Sequence, residues 1–299
     1  MPTAPFLHGK DAATIIPMTP LDSTLAQLER DASLVLPARL KARTEALDWL
    51  ERMFPEDIPH TRLDARVQAL RERLSAADAG LFHSLREAIR QGHGIAAMEP
   101  WLDETPAGGD GYDHADALVS GILQLEEPAT PAVTLSPDMV FYQPTPARHI
   151  FSLLRQLRLA PDDVLVDIGS GLGHVPLLAA ILTPARSIGI ELEPAYVACA
   201  RHAADALALR RVRFDAVDAR AANYAEGNVF YLYTPFRGSV LRAVLDTLHE
   251  CSTRRDIRVC TYGPCTATVA GETWLTPLDS RVSSDQVAIF TSRAPDAMA

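Results

Sequence analysis

The residues with the clearest chemical potential lie at positions 167–173, where Asp167 is followed by glycines at 169, 171 and 173. The apolar run 164–166 before them is typical of a buried strand, and the apolar run 175–182 after them is typical of a buried helix. Glycines between a strand and a helix allow left-handed backbone conformations and close approach of a ligand, because they carry no Cβ. The spacing therefore predicts a nucleotide-binding turn.

The position three residues after Gly171 bears on which nucleotide is bound. A dinucleotide turn of the G-x-G-x-x-G type needs a glycine there, and this chain has His174. The fit to NAD is therefore imperfect.

Two more acids stand at the ends of expected strands. Glu191 ends the run 187–191, and Asp218 follows the run 212–217. Since the carboxyl ends of parallel strands meet at one edge of a sheet, we expect both acids beside Asp167 and the glycine turn. Taken singly, Glu191 is equally explained as a solvated strand-end acid, and Asp218 as the N-cap of a following helix.

Two other segments combine proline with aromatic residues. The strand-like run 229–233 leads into Thr234, Pro235 and Phe236, where a proline that merely ends the strand is the alternative explanation. The segment 141–146 precedes a predicted helix, and Thr145 is expected to cap that helix at Pro146.

The elements that must position these residues alternate between strand and helix. Strands are expected at 163–168, 187–191, 212–217, 229–233 and 257–262, and helices at 146–157, 172–182, 194–209, 219–225 and 238–251. The runs 273–278 and 286–291 suggest an antiparallel hairpin at the sheet edge. The predicted fold class is α/β, with a doubly wound, mostly parallel seven-stranded sheet and a C-terminal antiparallel hairpin, preceded by an α-helical N-terminal domain.

The front of the chain has a helical pattern. Leucines at spacings of three and four predict a helix interrupted at Pro37, a second from Leu63 to Leu74 and a third from Leu81 to Ile89. A further helix is expected near 115–125, inside a linker or flap at 99–137. The predicted domains are an extended arm at 1–20, a helical domain with its linker at 21–135, and the α/β domain at 136–299.

Composition limits the class of function. Residues 1–150 hold 13 basic and 22 acidic side chains, and the whole chain has a net charge of −10, which argues against nucleic acid as a partner. The four cysteines and nine histidines show no metal-ligand spacing, so no metal is expected. No leader segment and no run of 18 apolar residues is present, which predicts a cytoplasmic protein without a membrane partner.

The motif D-x-G-x-G-x-G resembles the first motif of class I (Rossmann-like) S-adenosylmethionine-dependent methyltransferases, and the resemblance covers about residues 140–293. The order Tyr-x-Pro-Thr-Pro, helix, D-x-G-S-G-x-G and G-I-E is similar to bacterial methyltransferases of unassigned substrate. The glycine segment also resembles the non-SET histone lysine methyltransferases.

This resemblance implies S-adenosyl-L-methionine as the cofactor and gives roles to particular residues. Glu191 would bind the ribose, Asp218 the adenine amino group, and Asp167 the amino acid part. The implied cofactor-binding residues are Tyr142, Thr145, Asp167, Gly169, Ser170, Gly171, Gly173, Glu191, Asp218 and Ala219.

The segment from Thr234 to Phe236 resembles the Asn-Pro-Pro-aromatic or Asn-Pro-Phe motif of many nitrogen methyltransferases, with threonine in place of asparagine. A hydroxyl does not offer the paired hydrogen bonds of an amide, so the choice between nitrogen and oxygen stays open. The implied catalytic residues are Tyr233, Thr234, Pro235 and Phe236.

The predicted function is transfer of a methyl group from S-adenosylmethionine to a nitrogen or oxygen of a protein side chain or small molecule. A homodimer through the N-terminal helices is a further expectation. One alternative is an NAD(P)-dependent oxidoreductase, although both lysines precede residue 42 and no Tyr-x-x-x-Lys pair exists. The other is a catalytically inactive donor-binding interaction module, which Thr234 keeps open.

Overall fold

The computed structural model describes residues 20–55, 63–102, 111–128, 137–140 and 142–292. The chain divides into two compact units, Met1–Asp78 and Ala79–Ala299. The predicted extended arm at 1–20 lies outside the described residues apart from Pro20, which begins the first helix. The predicted domain boundaries stay predictions.

The first unit is helical. It contains α1 (Pro20–Arg30), α2 (Leu40–Met53) and the first part of α3 (Asp64–Arg90). Two 3-10 turns separate α1 from α2, and Pro37 begins the second of them, close to the predicted interruption. The apolar positions of these helices form one core, made of Leu25, Leu34, Ala46, Leu50, Phe54, Val67, Leu70 and Leu74.

The prediction of separate helices at 63–74 and 81–89 is wrong, because α3 runs through both without a break. The residues between them are Ser-Ala-Ala-Asp-Ala-Gly. Alanine is the best helix former, and a single mid-helix glycine such as Gly80 costs only about 1 kcal/mol. Without a proline, nothing in this stretch ends the helix.

The second unit is built on a seven-stranded sheet in the order β3-β2-β1-β4-β5-β7-β6. Its strands are β1 (Val164–Ile168), β2 (Arg186–Glu191), β3 (Val212–Ala216), β4 (Val229–Tyr233), β5 (Arg258–Tyr262), β6 (Thr276–Pro277) and β7 (Ala288–Thr291). The strands from β1 to β5 pair in parallel, and β7 pairs antiparallel with both β5 and β6. The predicted sheet, with its antiparallel C-terminal strands and N-terminal helices, is confirmed.

Helices join and cover these strands. They are α4 (Gly94–Leu102), α5 (His114–Leu123), α6 (Ala147–Leu157), α7 (His174–Leu182), α8 (Pro194–Ala206), α9 (Gly238–Ser252) and α10 (Cys265–Ala270). Apolar residues of α9 and α10 pack on the sheet face that carries Val164, Val166 and Ile168. Because strand residues alternate between faces, Asp167 belongs to the opposite face, directly beside Tyr231 in the pairing of β1 with β4.

Three local features differ from what the sequence indicated. Neither α4 nor α10 was predicted, and the end of α4 falls in the expected linker at 99–137; both are short helices, with buried residues that include Met98 and Trp101 in α4 and Val269 in α10. The predicted helix at 219–225 is a single 3-10 turn, Ala219–Ala221.

The third concerns the start of α6. Thr145 does not cap this helix, because its N-cap is Pro146 and no side-chain cap bond forms there. The Ala147 N–H instead donates to Asp116 Oδ1 at 2.7 Å. Asp116 lies on α5, so a residue far away in sequence satisfies the first turn of α6 and orders the segment before it.

Candidate active site

One cavity of about 620 Å³ lies at the sheet edge where β1, β2, β3 and β4 end. Every predicted site residue except Gly173 lines it: Tyr142, Thr145, Asp167, Gly169, Ser170, Gly171, Glu191, Asp218, Ala219, Tyr233, Thr234, Pro235 and Phe236. Gly173 is the N-cap of α7, and a Cβ there would lie 2.6 Å from the Phe214 ring. The structure therefore brings the predicted cofactor-binding residues and the predicted catalytic residues together in one cavity.

The glycine turn has the left-handed conformation that its sequence predicts. The φ angles are +82° at Gly169 and +52° at Gly171. A Cβ on Gly169 would overlap the Pro235 ring, and a Cβ on Gly171 would overlap the Tyr142 ring. The absent Cβ atoms thus allow two side chains of the protein itself to pack against the turn.

Glu191 holds the glycine turn in place. Its Oε2 accepts a hydrogen bond from the Gly171 N–H at 2.8 Å, and its Oε1 accepts one from the Glu193 N–H at 2.9 Å. The side chain is half-buried at the end of β2. Glu191 thus accepts two backbone hydrogen bonds and lines the cavity. A solvated strand-end acid would do neither.

Asp167 is the buried acid of the cavity. The residue is 4% exposed. Burial, and then the nearby negative charge of Glu191, raise the pKa of the Asp167 carboxyl well above its usual range. The surroundings of Asp167 therefore favour the neutral form of its carboxyl over the ionised form.

Asp218 has the capping role that was its alternative explanation, and it also lines the cavity. It accepts from the Arg220 N–H at 2.8 Å and forms an ion pair with the Arg220 guanidinium at 2.6 Å. These bonds, the Arg220 side chain first, lower the pKa of Asp218. The structure therefore shows the capping role of Asp218, and its binding of the adenine amino group stays a prediction.

Thr234 does not direct its hydroxyl towards a ligand. Its Oγ1 donates to the Tyr262 carbonyl at 3.2 Å and accepts from the Cys265 N–H at 3.0 Å. The residue is buried and has a φ of +38°, which side-chain-bearing residues rarely adopt. Thr234 therefore joins the end of β4 to the turn before α10.

The two residues after Thr234 are also held by the protein. The Pro235 carbonyl accepts from the Val140 N–H at 3.2 Å, and the Pro235 ring packs against Gly169. Phe236 is 4% exposed and belongs to the core that α9 covers. The predicted catalytic segment therefore lines this part of the cavity mainly with the side chains of Pro235 and Phe236.

Aromatic rings form the rest of that end. The Tyr233 ring lies 4.7 Å from the Tyr262 ring, which lies 4.3 Å from the His149 ring. Burial, and then the neighbouring hydroxyls of Tyr262 and Tyr112, raise the pKa of Tyr233. Tyr233 therefore keeps its proton at neutral pH.

A second aromatic group covers the glycine turn. The Tyr142 hydroxyl lies 3.2 Å from His174 Nδ1, and its ring lies 5.2 Å from that of Tyr196. Burial lowers the pKa of His174 to about 4, so His174 is neutral at physiological pH. Nearby, the Thr145 hydroxyl lies 3.2 Å from the Tyr231 hydroxyl.

Among the cavity-lining residues that sequence reasoning missed are Tyr196, Tyr231 and Arg237. Tyr231 had a usable signal, because it lies two residues before Tyr233 and shares its face of β4. Tyr196 and Arg237 had none, since they follow β2 and β4 at positions where any polar residue is common.

The described part of the chain contains no group of three His, Cys, Asp or Glu residues that could hold a metal ion. No helix there is long and apolar enough to cross a membrane.

Residues 139–229 match the family model described as "Histone methylation protein DOT1". The matched segment holds the strands from β1 to β3, the glycine turn, Glu191 and Asp218. Its sheet has the parallel order with an antiparallel seventh strand given above. Over this segment the chain resembles the class I S-adenosylmethionine-dependent methyltransferases. The resemblance stated from the sequence is confirmed.

The curated relatives that match this part of the chain are named for different substrates. The chain is 30% identical over 143 residues to the "Histone-lysine N-methyltransferase, H3 lysine-79 specific" of Cryptococcus neoformans, covering 40% of this chain and 21% of the relative. It is 33% identical over 115 residues to the "23S rRNA (uracil(747)-C(5))-methyltransferase RlmC" of Serratia proteamaculans, covering 37% of this chain and 30% of the relative. The chain thus spans less than a third of the length of these relatives.

Solved structures are also similar to part of this chain. An RNA methyltransferase from Salinibacter ruber in complex with S-adenosyl-L-homocysteine is 26% identical, with a TM-score of 0.41, over 52% of this chain and 97% of that one. TrmN from Thermus thermophilus is 20% identical, with a TM-score of 0.37, over 48% of this chain and 47% of that one.

Proposed function

We propose that this chain transfers a methyl group from S-adenosyl-L-methionine to a nitrogen or oxygen of a small molecule or protein side chain. The observation that carries the proposal is the convergence of Asp167, Glu191 and Asp218 with the glycine turn in one cavity. We call this group of residues the donor end. The cavity residues from Tyr233 to Arg237 are called the acceptor end.

The donor end fits this cofactor. S-adenosylmethionine has an ammonium group, a sulfonium, two ribose hydroxyls and an adenine amino group, and carboxylates can accept from or neutralise each kind. Ser170 adds a further polar group, because its hydroxyl is buried and has no hydrogen-bond partner among the described residues. A buried hydroxyl without a partner is costly, and a ligand atom would satisfy it.

The residues of the donor end would divide the cofactor among them. Asp167 is placed to pair with the donor's cationic amino acid part, since a nearby positive charge would favour its ionised form. Glu191 has lone pairs left beyond its two backbone donors, and these would accept from the ribose hydroxyls. Asp218 and the Ala219 N–H would receive the adenine edge.

The donor supplies a methyl group on a positively charged sulfur, from which it can be displaced. Much of the protein's task would therefore be to place the acceptor atom in line with that group and to exclude water. The rings of Tyr142 and Pro235, both packed on the glycine turn, are placed to close the cavity. Tyr233 would act as a wall or hydrogen-bond donor, because its raised pKa makes it a poor base.

One observation favours a second candidate, an inactive donor-binding module. The Thr234 hydroxyl is already bonded to Tyr262 and Cys265, so this side chain does not hold an acceptor in the way an asparagine amide would. Transfer of labelled methyl groups into any cell component would exclude this candidate. Donor binding without transfer would support it.

The proposal is tested by titrating S-adenosylmethionine into Glu191→Ala and Glu191→Gln variants. Loss of the ribose bonds should weaken donor binding by about 1–3 kcal/mol. The glutamine variant keeps a side-chain oxygen for the Gly171 N–H. Weaker affinity for the donor in both variants would therefore show lost contacts to the donor, and not only a disturbed glycine turn. Glu226→Ala is the matched control, because Glu226 is exposed and pairs with Arg186 and Arg213 outside the cavity. Unchanged affinity in both Glu191 variants would contradict the assignment.

A further inference from the structure

The acceptor end carries information on the chemical class of the acceptor. It combines stacked aromatic rings with a cation, whereas the carboxylates of the cavity, Asp167, Glu191, Glu193 and Asp218, lie on the strand ends and turns of the donor end. This division of charge within one cavity guides the choice of substrate.

The aromatic part is a preformed surface for a flat molecule. The Tyr233 ring lines the cavity and is held by the Tyr262 ring, which rests in turn on the buried His149. Tyr112 lies close to Tyr233, and its hydroxyl donates to the Pro144 carbonyl at 3.2 Å. Rings held in this way lose little conformational freedom when another ring stacks on them.

The cationic part is Arg237, which lines the same cavity next to Phe236. Its backbone N–H donates to the Asp138 carbonyl, and the Asp138 carboxylate is bonded to the N–H and hydroxyl of Ser239. Among the described residues no carboxylate forms an ion pair with the exposed Arg237 guanidinium. This guanidinium can therefore bind a carboxylate or phosphate with two parallel hydrogen bonds.

We infer that the acceptor is a small planar aromatic molecule with an anionic substituent, whose ring stacks on Tyr233 and whose anion binds Arg237. This inference rests on the proposed methyltransferase function. A lysine side chain would bring its ammonium towards Arg237, and like charges repel there. Long RNA is opposed by the net charge of −10. A small aromatic anion is attracted to Arg237, and it carries too little charge to be excluded by the net charge of the chain.

The transfer that follows is balanced. An oxygen or nitrogen on the ring forms a bond to the methyl carbon while the methyl–sulfur bond breaks and its electron pair goes to sulfur. The proton of the acceptor atom leaves to solvent. The products are a methylated ring and S-adenosylhomocysteine.

The inference is tested with purified protein and methyl-labelled S-adenosylmethionine. Lysate of cells that express the chain is separated into small-molecule, RNA and protein fractions, and each is supplied as acceptor. Label is expected in the small-molecule fraction, on a product that absorbs ultraviolet light and is retained by an anion exchanger. Para-hydroxybenzoate, para-aminobenzoate and the nucleoside monophosphates then distinguish a carboxylate source from a phosphate source.

Label confined to the RNA or protein fraction would overturn the inference, and so would a product that is not aromatic or not anionic. Those outcomes leave methyl transfer by this chain intact, so they contradict the inference alone. Absence of label in all fractions would contradict the proposed methyl transfer, and the inference with it; donor binding without label would support the inactive donor-binding module. The two failures are therefore distinguishable by whether any fraction is labelled.

Variants give a readout that does not depend on activity alone. Once the acceptor is identified from its labelled product, its affinity for the protein is measured by calorimetry. Arg237→Gln should weaken that affinity about tenfold or more and raise the KM for the acceptor, with a smaller change in kcat. Arg237→Lys should restore part of this loss. Tyr233→Leu should weaken binding as well, whereas Tyr233→Phe should not.

Arg242→Gln is the matched control, because Arg242 lies on α9 and is paired with Glu272 and Asp246. Equal binding by the Arg237 and Arg242 variants would overturn the role of Arg237.

Discussion

The two ends of the cavity are built in different ways. The donor end consists of residues placed directly at strand ends, and its carboxylates Asp167, Glu191 and Asp218 come from three neighbouring strands. The acceptor end is a single segment, from Tyr233 to Arg237, whose side chains are held by residues distant in sequence, such as Tyr262. The difference teaches that a strand-end motif identifies the donor, whereas the acceptor depends on tertiary packing.

The change expected to damage both ends most is Gly169→Ala. Gly169 has a φ of +82°, and a Cβ there would overlap the Pro235 ring. A strained backbone costs about 1–3 kcal/mol and forced overlap a similar amount, so we expect a loss of about 2–5 kcal/mol in unfolding free energy. Urea denaturation measures this loss.

The control for this substitution is Gly80→Ala. Gly80 lies inside α3, and a Cβ there would meet no atom within 4 Å. Alanine should stabilise that helix by about 0.5–1 kcal/mol. Equal effects of the two substitutions would show that the glycine turn is not a special position.

Thr234→Val should separate the two ends. Removal of the hydroxyl leaves the Cys265 N–H and the Tyr262 carbonyl without this partner, which should cost about 1–3 kcal/mol of stability. Donor affinity, measured by calorimetry, should change by less than about twofold, since no donor-end residue bonds to this hydroxyl. Thr234→Ser should restore the stability. A large loss of donor affinity in the folded valine variant would break the division between the ends.

The pH dependence of folding stability tests the raised pKa of Asp167. Its pKa is raised in the folded protein, so the proton is held more tightly there than in the unfolded chain. Stability should therefore fall as pH rises from the ordinary aspartate pKa towards the raised value, and the neutral Asp167→Asn variant should not show this fall.

Donor binding should have the opposite pH trend. The cationic donor favours ionised Asp167, so affinity should rise as pH rises through the raised pKa, by at most about tenfold per pH unit. Calorimetry at a series of pH values would show this slope in the wild type and not in Asp167→Asn. A flat profile in the wild type would remove Asp167 from the donor end.

Asp218→Asn should have the smallest effect. The exposed ion pair with Arg220 contributes about 0–1 kcal/mol to stability, and asparagine still caps the turn. Donor affinity should fall only several-fold, because a single exposed hydrogen bond is lost. An effect larger than that of Glu191→Ala would reverse the ranking of these two acids.

Much of the donor end could be predicted from sequence, because the signals are local. A buried strand that ends in an acid and glycines fixes the position of the turn relative to the sheet, and Glu191 and Asp218 follow from strand order. What sequence does not reveal is that the Cβ positions of Gly169 and Gly171 are occupied by Pro235 and Tyr142. These contacts join residues that are far apart in the chain.

The acceptor end was predicted less well for the same reason. Thr234 was expected to face a ligand, but its partners come from the turn before α10, a helix with no recognisable sequence signal. Thr145 was expected to cap α6, but Asp116 supplies that bond from α5. The Thr234 hydroxyl bonds to backbone groups and the Thr145 hydroxyl lies next to the Tyr231 hydroxyl, and only the packed structure brings these partners together.

The central claim is that the cavity beside the glycine turn binds S-adenosylmethionine. Calorimetric titration of the purified wild-type chain with S-adenosylmethionine, S-adenosylhomocysteine and NAD tests it most directly. The account predicts one site for each of the first two ligands and none for NAD, with binding of one excluding the other. Binding of NAD without binding of S-adenosylmethionine would contradict it.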